Sequence, residues 1–217
     1  MGLIKIKQGL DVPIKGAPKQ TVHETKPVNK VAVIGPDYVG MKPTMEVKVG
    51  DRVKLGQVLF ADKKMTMLNY TSPGAGKVIE INRGHKRALL SVVVQLDGDE
   101  QETFDAVDPK NLSSLEPENI KIELLKSGLW TSLRMRPFSN VADPDSKPHS
   151  LFITAMDTNP LAPSLGVILK EKSEAFKHGL TVLSRLVKGK VFLCKFPHEE
   201  IPTVDMDNLS VEEFSGP

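Results

Sequence analysis

Two methionines, Met65 and Met67, flank a threonine in the stretch ADKKMTMLNYTSPGAGKVIEI, which begins at Ala61. The chemistry that such a hairpin could support is the carriage of an acyl or carboxyl group on a covalently attached cofactor, which needs a lysine amine. The Thr66 hydroxyl cannot form the stable amide that holds such a cofactor. Lys63 and Lys64 lie three and two positions before Thr66, away from the tip of the hairpin. The residues therefore predict no swinging arm.

The surrounding pattern resembles the biotinyl/lipoyl fold. Gly50 and Gly56 are turn residues, and an expected strand follows each of them. Ser72 and Pro73 precede a return strand that begins at Gly76. In the carrier domains the cofactor hangs from a lysine between the two methionines, and Thr66 occupies that position here. We therefore expect a barrel-sandwich fold without carrier chemistry, since a fold does not by itself give a function.

Other reactive side chains form no recognisable catalytic or metal site. The five histidines have no second ligand at metal-site spacing, and no phosphate loop, nucleophile elbow or carboxylate pair is visible. These histidines are His23, His85, His149, His178 and His198. Asp157 and Asn159 fit Asx turns before Pro160, at what would be a vestigial ligand crevice. The single cysteine, Cys194, fits a buried structural thiol.

Aromatic and cationic residues are grouped in the stretch SGLWTSLRMRPFS, in which Trp130, Arg134, Arg136 and Phe138 lie close together. This combination suits a quinone head group or a loop of a partner. Alternatively, Trp130 and Phe138 pack a domain junction while the arginines pair with acids or cap a helix. A second basic group fits either a solvated turn or a docking point for an acidic partner, and it comprises Arg83, His85, Lys86 and Arg87.

The composition limits the classes of protein. With 217 residues the chain is long enough for two domains, and its formal net charge of +2 without a long basic run gives no sign of nucleic-acid binding. One cysteine excludes an internal disulfide and indicates a reducing, cytoplasmic setting. No apolar run approaches the roughly 20 residues that span a bilayer. We therefore expect any contact with a membrane to go through partners.

Short strands separated by turns fill the first part of the chain. The apolar runs at 30–35, 45–50, 57–62, 76–81 and 88–96 are spaced as in a small all-β sandwich or barrel. A linker at 101–148 follows, with a helix over about 115–127 that begins near Pro117 and ends at Gly128. Residues 1–100 are thus predicted to form the barrel-sandwich domain.

The last part of the chain changes to a strand, helix and strand pattern. The predicted elements are a strand from Leu151 to Ala155, a helix over 171–189 and a strand over 190–196. The tail offers at most one further short strand. The fold class is thus α+β, and residues 149–217 are predicted to be the first βαβ unit of a Rossmann-like domain that is cut short.

Several long motifs carry a specific resemblance. KIKQGLDVPIKGAP, YVGMKPTMEVKVGDRVKLGQVLF, INRGHKRALLSVVVQLDGDE, SGLWTSLRMRPFS and FITAMDTNPLAP are similar to the A-type component of the bacterial sodium-translocating NADH:quinone (ubiquinone) oxidoreductase. The likeness covers essentially the whole chain. In that family the chain is about twice as long, so the present sequence resembles its N-terminal half.

The resemblance implies a cytoplasm-facing peripheral subunit on the bacterial inner membrane, without a redox centre of its own. Its partners would be the other subunits of the complex, especially a membrane-embedded one. NADH, flavins, iron–sulfur centres and sodium would be handled by those subunits, while ubiquinone is a candidate ligand near this one. The resemblance also places Tyr38, Met41, Lys42 and Phe138 near a quinone or inhibitor, and Arg134 and Arg136 extend this group.

Two other classes remain as alternatives. One is a biotin or lipoate carrier, which Thr66 opposes. The other is a flavin-binding NADH dehydrogenase subunit of an electron-transfer complex. In the flavin-binding relatives a glycine-rich loop matches SGLWTSLRMRPFS, and between Gly128 and Ser139 this sequence has no glycine.

Overall fold

The computed structural model describes residues 2–10, 12 and 14–216. Among these residues the chain forms two compact units. The β unit comprises Lys26–Ala106 and Glu118–Ser146, and the α/β unit comprises Met1–Thr25, Val107–Pro117 and Lys147–Pro217. This grouping differs from the predicted division at residue 100, because the first 25 residues group with the last third of the chain.

The described elements are mostly short strands. In chain order the strands are β1 (Gly2–Lys5), β2 (Lys30–Ile34), β3 (Pro43–Met45), β4 (Arg52–Val53), β5 (Val58–Asp62), β6 (Asn69–Thr71), β7 (Gly76–Arg83), β8 (Leu89–Leu96), β9 (Arg134–Met135), β10 (Asn140–Val141), β11 (Leu151–Ala155), β12 (Val191–Lys195) and β13 (Leu209–Ser215). The α-helices are α1 (Pro117–Lys126), α2 (Leu165–Leu169) and α3 (Ser173–Ser184). None of the helices that the structure describes is long and apolar enough to span a membrane.

The β unit contains two antiparallel sheets and a small hairpin. One sheet has the strand order β2-β8-β7-β4, the other has the order β3-β5-β6, and β9 pairs with β10. Large side chains of these strands, and Leu68 just before β6, form the core and are almost completely buried. These core residues are Leu59, Phe60, Leu68, Tyr70, Val78, Val92 and Val94. The predicted barrel-sandwich pattern of short strands is thus found in this unit.

One predicted strand, over residues 45–50, is wrong. The strand here ends at Met45, and a turn follows in which Asp51 accepts a hydrogen bond from the Lys48 N–H at 2.9 Å while its own N–H donates to the Lys48 carbonyl at 3.2 Å. Gly50 has a φ of 103° in this turn, a conformation that favours glycine. The alternating pattern of MEVKVG therefore predicted a strand where local side-chain hydrogen bonding forms a turn.

Helix α1 lies close to its predicted position and ends as expected. It begins at Pro117, where the missing N–H costs nothing, and Gly128 follows it with a φ of 76°. A Cβ atom at Gly128 would lie only 2.7 Å from Thr71 Oγ1, and Thr71 Oγ1 donates to the Ser127 carbonyl at 3.4 Å. The end of α1 is thus fixed against β6, within the β unit.

The α/β unit is built on a parallel sheet with the strand order β1-β13-β12-β11. Strand β11, helix α3 and strand β12 form the predicted βαβ unit. Leu180 of α3 packs with Leu193, Ala155 and Ile201 in the core on one face of this sheet. The tail adds β13, which at seven residues is longer than the short strand that was expected. Helix α3 is shorter than the predicted range of 171–189 because its end tightens into turns at Arg185 and Leu186.

The position of β1 is the largest difference from the predicted organisation. Gly2 to Lys5 pair in register with Glu212 to Ser215 of β13, so these residues form an edge strand of the α/β sheet. The sequence pattern of a short strand does not indicate its partner. Pairing between strands more than 200 residues apart is decided by the assembled sheet.

Candidate functional site

The loop after β2 presents the first group of predicted site residues. It opens with a short 3-10 turn at Gly35–Asp37, and a Cβ atom at Gly35 would clash with the Leu89 carbonyl oxygen. Close packing on β8 therefore requires glycine here. The Tyr38 N–H donates to the Gly35 carbonyl at 3.1 Å, and the Met41 N–H donates to the Tyr38 carbonyl at 3.2 Å. These bonds hold Tyr38 and Met41 half-buried.

Three aromatic rings attach this loop to the core of the β unit. The Tyr38 ring meets the Tyr70 ring edge to face, with the centroids 4.6 Å apart, and Tyr70 stacks on Phe60 at 4.7 Å. Tyr70 and Phe60 are fully buried. Because aromatic pairs contribute about 0.5–1.5 kcal/mol beyond the burial of their area, this row of rings fixes Tyr38 in one orientation.

Arg134 lies over the exposed face of this row. Its guanidinium carbon is 5.0 Å from the centroid of the Tyr38 ring, a cation–π contact. Arg134 lies on strand β9, and the pairing of β9 with β10 positions this arginine. In that pairing Met135 lies opposite Asn140, and the Ala142 N–H donates to the Leu133 carbonyl at 2.9 Å. Two segments that the sequence analysis singled out separately therefore meet in one place.

The electrostatics of the row favour a neutral Tyr70. Burial raises the pKa of Tyr70 well above its usual range, and the negative charge of Asp62 acts in the same direction. The positive charge of Arg134 opposes this effect but does not outweigh it. Tyr70 therefore stays protonated at physiological pH, and its ring packs as an apolar group.

Asp62 joins Lys42 to the methionine hairpin. It is buried, and its carboxylate accepts hydrogen bonds from the backbone N–H groups of Lys64 at 2.7 Å, Met65 at 3.2 Å and Lys42 at 3.3 Å. The Lys63 N–H donates in turn to the Lys42 carbonyl at 2.7 Å. Sequence analysis missed both Asp62 and Tyr70, since a lone acid and a lone tyrosine in strands carry no motif.

Thr66 lies at the exposed tip of this hairpin, where the resemblance to carrier domains places it. A cavity of about 600 Å³ opens beside Thr66, and its other lining residues include Gln57, Phe104 and Lys126. Neither Lys63 nor Lys64 is at the tip, because their backbone forms the loop that Asp62 stabilises.

The remaining predicted site residues lie on or beside the hairpin formed by β9 and β10. Phe138 is 76% exposed and Arg136 is also exposed. Trp130, in contrast, is buried, and its Nε1–H donates to the Ala142 carbonyl at 2.8 Å. Trp130 is therefore a core residue of the β unit, whereas Phe138 is not. Within residues 2–10, 12 and 14–216, neither Arg134 nor Arg136 forms a salt bridge with a carboxylate.

The α/β unit has a smaller cavity beyond the carboxyl ends of β11 and β12. Its volume is about 420 Å³, and it is lined by Asp157, Ser164, Glu199 and neighbouring residues. Asp157 Oδ1 accepts from the Asn159 N–H at 2.9 Å, which is the predicted Asx turn. Glu199 Oε1 accepts hydrogen bonds from the Ser164 hydroxyl at 2.7 Å and from the Gly166 N–H at 3.2 Å. Several polar groups at this crevice thus bond to one another, while the buried Glu199 Oε2 has no hydrogen-bond partner among the described residues.

Other expected features have ordinary structural environments. Cys194 is buried, as expected of a structural cysteine. Burial is the main cause that raises the pKa of its thiol, and the negative charge of Glu212 adds to the effect. Among the described residues, no group of three or more metal-ligating side chains is assembled. The basic turn over His85–Arg87 is exposed, and the Arg83 guanidinium donates to the Arg87 carbonyl at 3.1 Å.

Two family models match successive parts of the chain. Residues 4–97 match the NqrA N-terminal barrel-sandwich hybrid domain, and residues 115–217 match the NqrA second alpha/beta domain. The fold and the hairpin thus define a class: a barrel-sandwich domain that has threonine at the carrier position, followed by an α/β domain.

Three curated relatives illustrate the match, and each is named as the NqrA component of a Na(+)-translocating NADH-quinone reductase. The protein from Pseudomonas aeruginosa strain PAO1 is 55% identical over 215 residues, that from Marinomonas sp. is 54% identical over 214, and that from Vibrio anguillarum is 50% identical over 215. Each alignment covers 99% of this chain and 48% of the relative. The chain belongs to the NqrA family, and it spans about half the length of the curated relatives it matches.

Proposed function

We propose that this chain is part of a non-catalytic subunit of a sodium-pumping respiratory complex that transfers electrons from NADH to ubiquinone. The names of relatives at 50–55% identity support this assignment. The subunit would hold membrane subunits in register and shape the approach to a quinone. The chain itself would supply no catalytic residue, and electrons would pass through other subunits.

The contact between Tyr38 and Arg134 carries the quinone part of this proposal. It brings the Tyr38 hydroxyl and the Arg134 guanidinium, both hydrogen-bond donors, to one surface. The guanidinium carbon lies 5.0 Å from the centroid of the Tyr38 ring. Either donor could bond a quinone carbonyl. Met41 adds an adaptable apolar contact. Lys42, Arg136 and Phe138 complete the proposed quinone-proximal group.

The proposal assigns no bound cofactor to this chain. Thr66 at the carrier position opposes biotin or lipoate. In the stretch that would cradle a flavin phosphate, the N–H groups of Thr131, Leu133 and Ser139 already donate to backbone carbonyls at 2.9–3.2 Å. Those three amides are not free to donate to a phosphate, which supports the assignment of flavins to other subunits. NADH, iron–sulfur centres and sodium are assigned to other subunits as well.

The proposed location is the cytoplasmic side of the bacterial inner membrane, with the subunit bound peripherally. Its partners would be the other subunits of the complex, especially a membrane-embedded one. The experiment that tests the function is a pull-down of the tagged protein from detergent-solubilised native membranes, scored for sodium-dependent NADH:quinone reductase activity. Recovery of the protein alone, without membrane subunits or activity, would contradict the assignment.

The quinone site needs a separate test, in the assembled complex. We expect Tyr38→Phe combined with Arg134→Gln to lower labelling by a photoreactive quinone analogue while leaving the complex intact. Arg83→Gln is a matched control because Arg83 lies on the other basic turn. Unchanged labelling in the double variant would remove these residues from the site. An absorbance spectrum tests the rival class of flavin-binding proteins, and an intact mass tests the rival class of carrier domains.

A further inference from the structure

Apolar and basic side chains are exposed together on the loops around the contact of Tyr38 with Arg134. Val39 is 52% exposed and Phe138 is 76% exposed. The basic residues of the same loops are exposed as well. We call this group the basic–apolar surface, and it comprises Val39, Lys42, Lys63, Arg134, Arg136 and Phe138.

Three segments of the β unit hold this surface together. Tyr38 and Arg134 join the loop after β2 to the β9–β10 hairpin. Backbone hydrogen bonds from Lys42 to Asp62 and from Lys63 to Lys42 join the same loop to the methionine hairpin. The half-buried Tyr38 ring is held by the buried Tyr70 ring, and the other contacts are made by a buried carboxylate and backbone groups, so the three segments are held next to one another.

The charge of the surface is positive and largely unneutralised. Among the described residues, none of its four cations forms a salt bridge. Asp62 is buried, and its carboxylate accepts hydrogen bonds from backbone N–H groups, so it adds little negative charge to the surface. Asp37 is an exposed acidic residue in the loop after β2. The surface is therefore complementary to a negatively charged partner that also accepts apolar side chains.

We propose that the basic–apolar surface binds directly to the headgroup region of an anionic lipid bilayer. Aromatic and aliphatic side chains at loop tips, surrounded by lysine and arginine, are the residues that enter the interface of a membrane. Phe138, which is 76% exposed, can enter a fluid lipid layer without a pocket shaped to receive it.

This proposal uses the residues of the proposed quinone-proximal group but does not require quinone binding. It departs from the expectation that membrane contact goes only through partners. It also gives a physical reason for a quinone to come near these residues, since a quinone with an isoprenoid tail resides in the bilayer.

The test is co-sedimentation of the 217-residue chain with quinone-free vesicles, either of phosphatidylcholine alone or of phosphatidylcholine mixed with phosphatidylglycerol. We expect binding to the mixed vesicles that is lost at high salt. Phe138→Ser should lower the partition coefficient by about tenfold, since it removes one large apolar side chain. Arg134→Gln with Arg136→Gln should lower it by about fivefold for each charge.

Arg83→Gln with Arg87→Gln is the matched control, because it removes two charges from the other basic turn, and it should leave the partition coefficient nearly unchanged. Circular dichroism of each variant verifies folding. The proposal is overturned if the chain binds neither type of vesicle, if Phe138→Ser binds as well as the parent, or if the control loses as much binding as the Arg134 and Arg136 variant. Membrane retention only in the presence of other subunits would likewise overturn it, and would assign the surface to a protein partner.

Discussion

The guanidinium carbon of Arg134 lies 5.0 Å from the centroid of the Tyr38 ring, and the Tyr38 ring in turn meets the buried Tyr70 at 4.6 Å. A residue from the linker region therefore rests on a loop from the first third of the chain. This contact connects the two stretches that the sequence analysis assigned to a quinone-proximal group. Its strength can be measured without knowing the ligand.

Replacing Tyr38 and Arg134 with alanine, singly and together, should give a coupling of about 0.5–1 kcal/mol in the free energy of unfolding, as expected for an exposed cation–π pair. Denaturant titration of the four proteins measures this coupling. The same cycle with Arg136 in place of Arg134 is the control, and its coupling should be close to zero. Strictly additive effects of the Tyr38 and Arg134 substitutions would show that the contact contributes nothing.

Asp62→Ala should destabilise the methionine hairpin by about 1–3 kcal/mol, because three backbone N–H groups lose a charged acceptor. Hydrogen exchange at Lys64 and Met65 should become faster before the rest of the β unit is affected. Asp37→Ala is the control, since Asp37 is exposed on the surface. Unchanged exchange at both amides would contradict the role assigned to Asp62.

The Lys195–Glu213 pair in the α/β unit predicts a dependence of stability on pH. Lys195 Nζ lies 2.8 Å from Glu213 Oε1, and its hydrogen bond and charge hold the pKa of Glu213 below the usual value. A lowered pKa in the folded state stabilises the protein above the ordinary glutamate range, and that stabilisation is lost as pH falls through the folded-state pKa.

The comparison that tests this effect is the melting temperature of the parent and of Glu213→Gln as a function of pH. The difference between the two should be largest near neutral pH and should shrink toward strongly acidic pH. Glu174→Gln provides the comparison: Lys177 at 2.9 Å also lowers the pKa of Glu174, but the Glu174 side chain is 75% exposed, so solvent screening should make its pH-dependent effect smaller. A difference for Glu213→Gln that does not change with pH would contradict the assignment.

Tyr70 predicts a loss of stability at high pH. Its pKa is raised in the folded state, chiefly by burial, so the unfolded chain releases the Tyr70 proton first as pH rises. Stability should therefore fall above a pH of about 10, the ordinary value for tyrosine. In Tyr70→Phe the decline should be weaker, as measured by denaturant titration across this range. An equal decline in both proteins would contradict the prediction.

Local features of the chain were predictable to different degrees. The strand over Leu151–Ala155 and the start of α1 at Pro117 follow from an apolar run and from proline's preference for a first turn. The predicted strand over 45–50 failed because the Asp51 carboxylate captures the Lys48 N–H. Alternation of apolar residues predicts a strand only where no side chain competes for the backbone.

The sequence by itself determined the short strands, the βαβ unit and the loss of a carrier lysine at Thr66, because these depend on neighbouring residues. Only the tertiary structure decided that β1 pairs with β13, that Arg134 lies on Tyr38 and that Phe138 is exposed while Trp130 is buried. The physical reason is that pairing and burial depend on residues distant in the chain, which local periodicity cannot identify. The contact between Tyr38 and Arg134, on which the quinone proposal and the basic–apolar surface both rest, is one of these distant contacts.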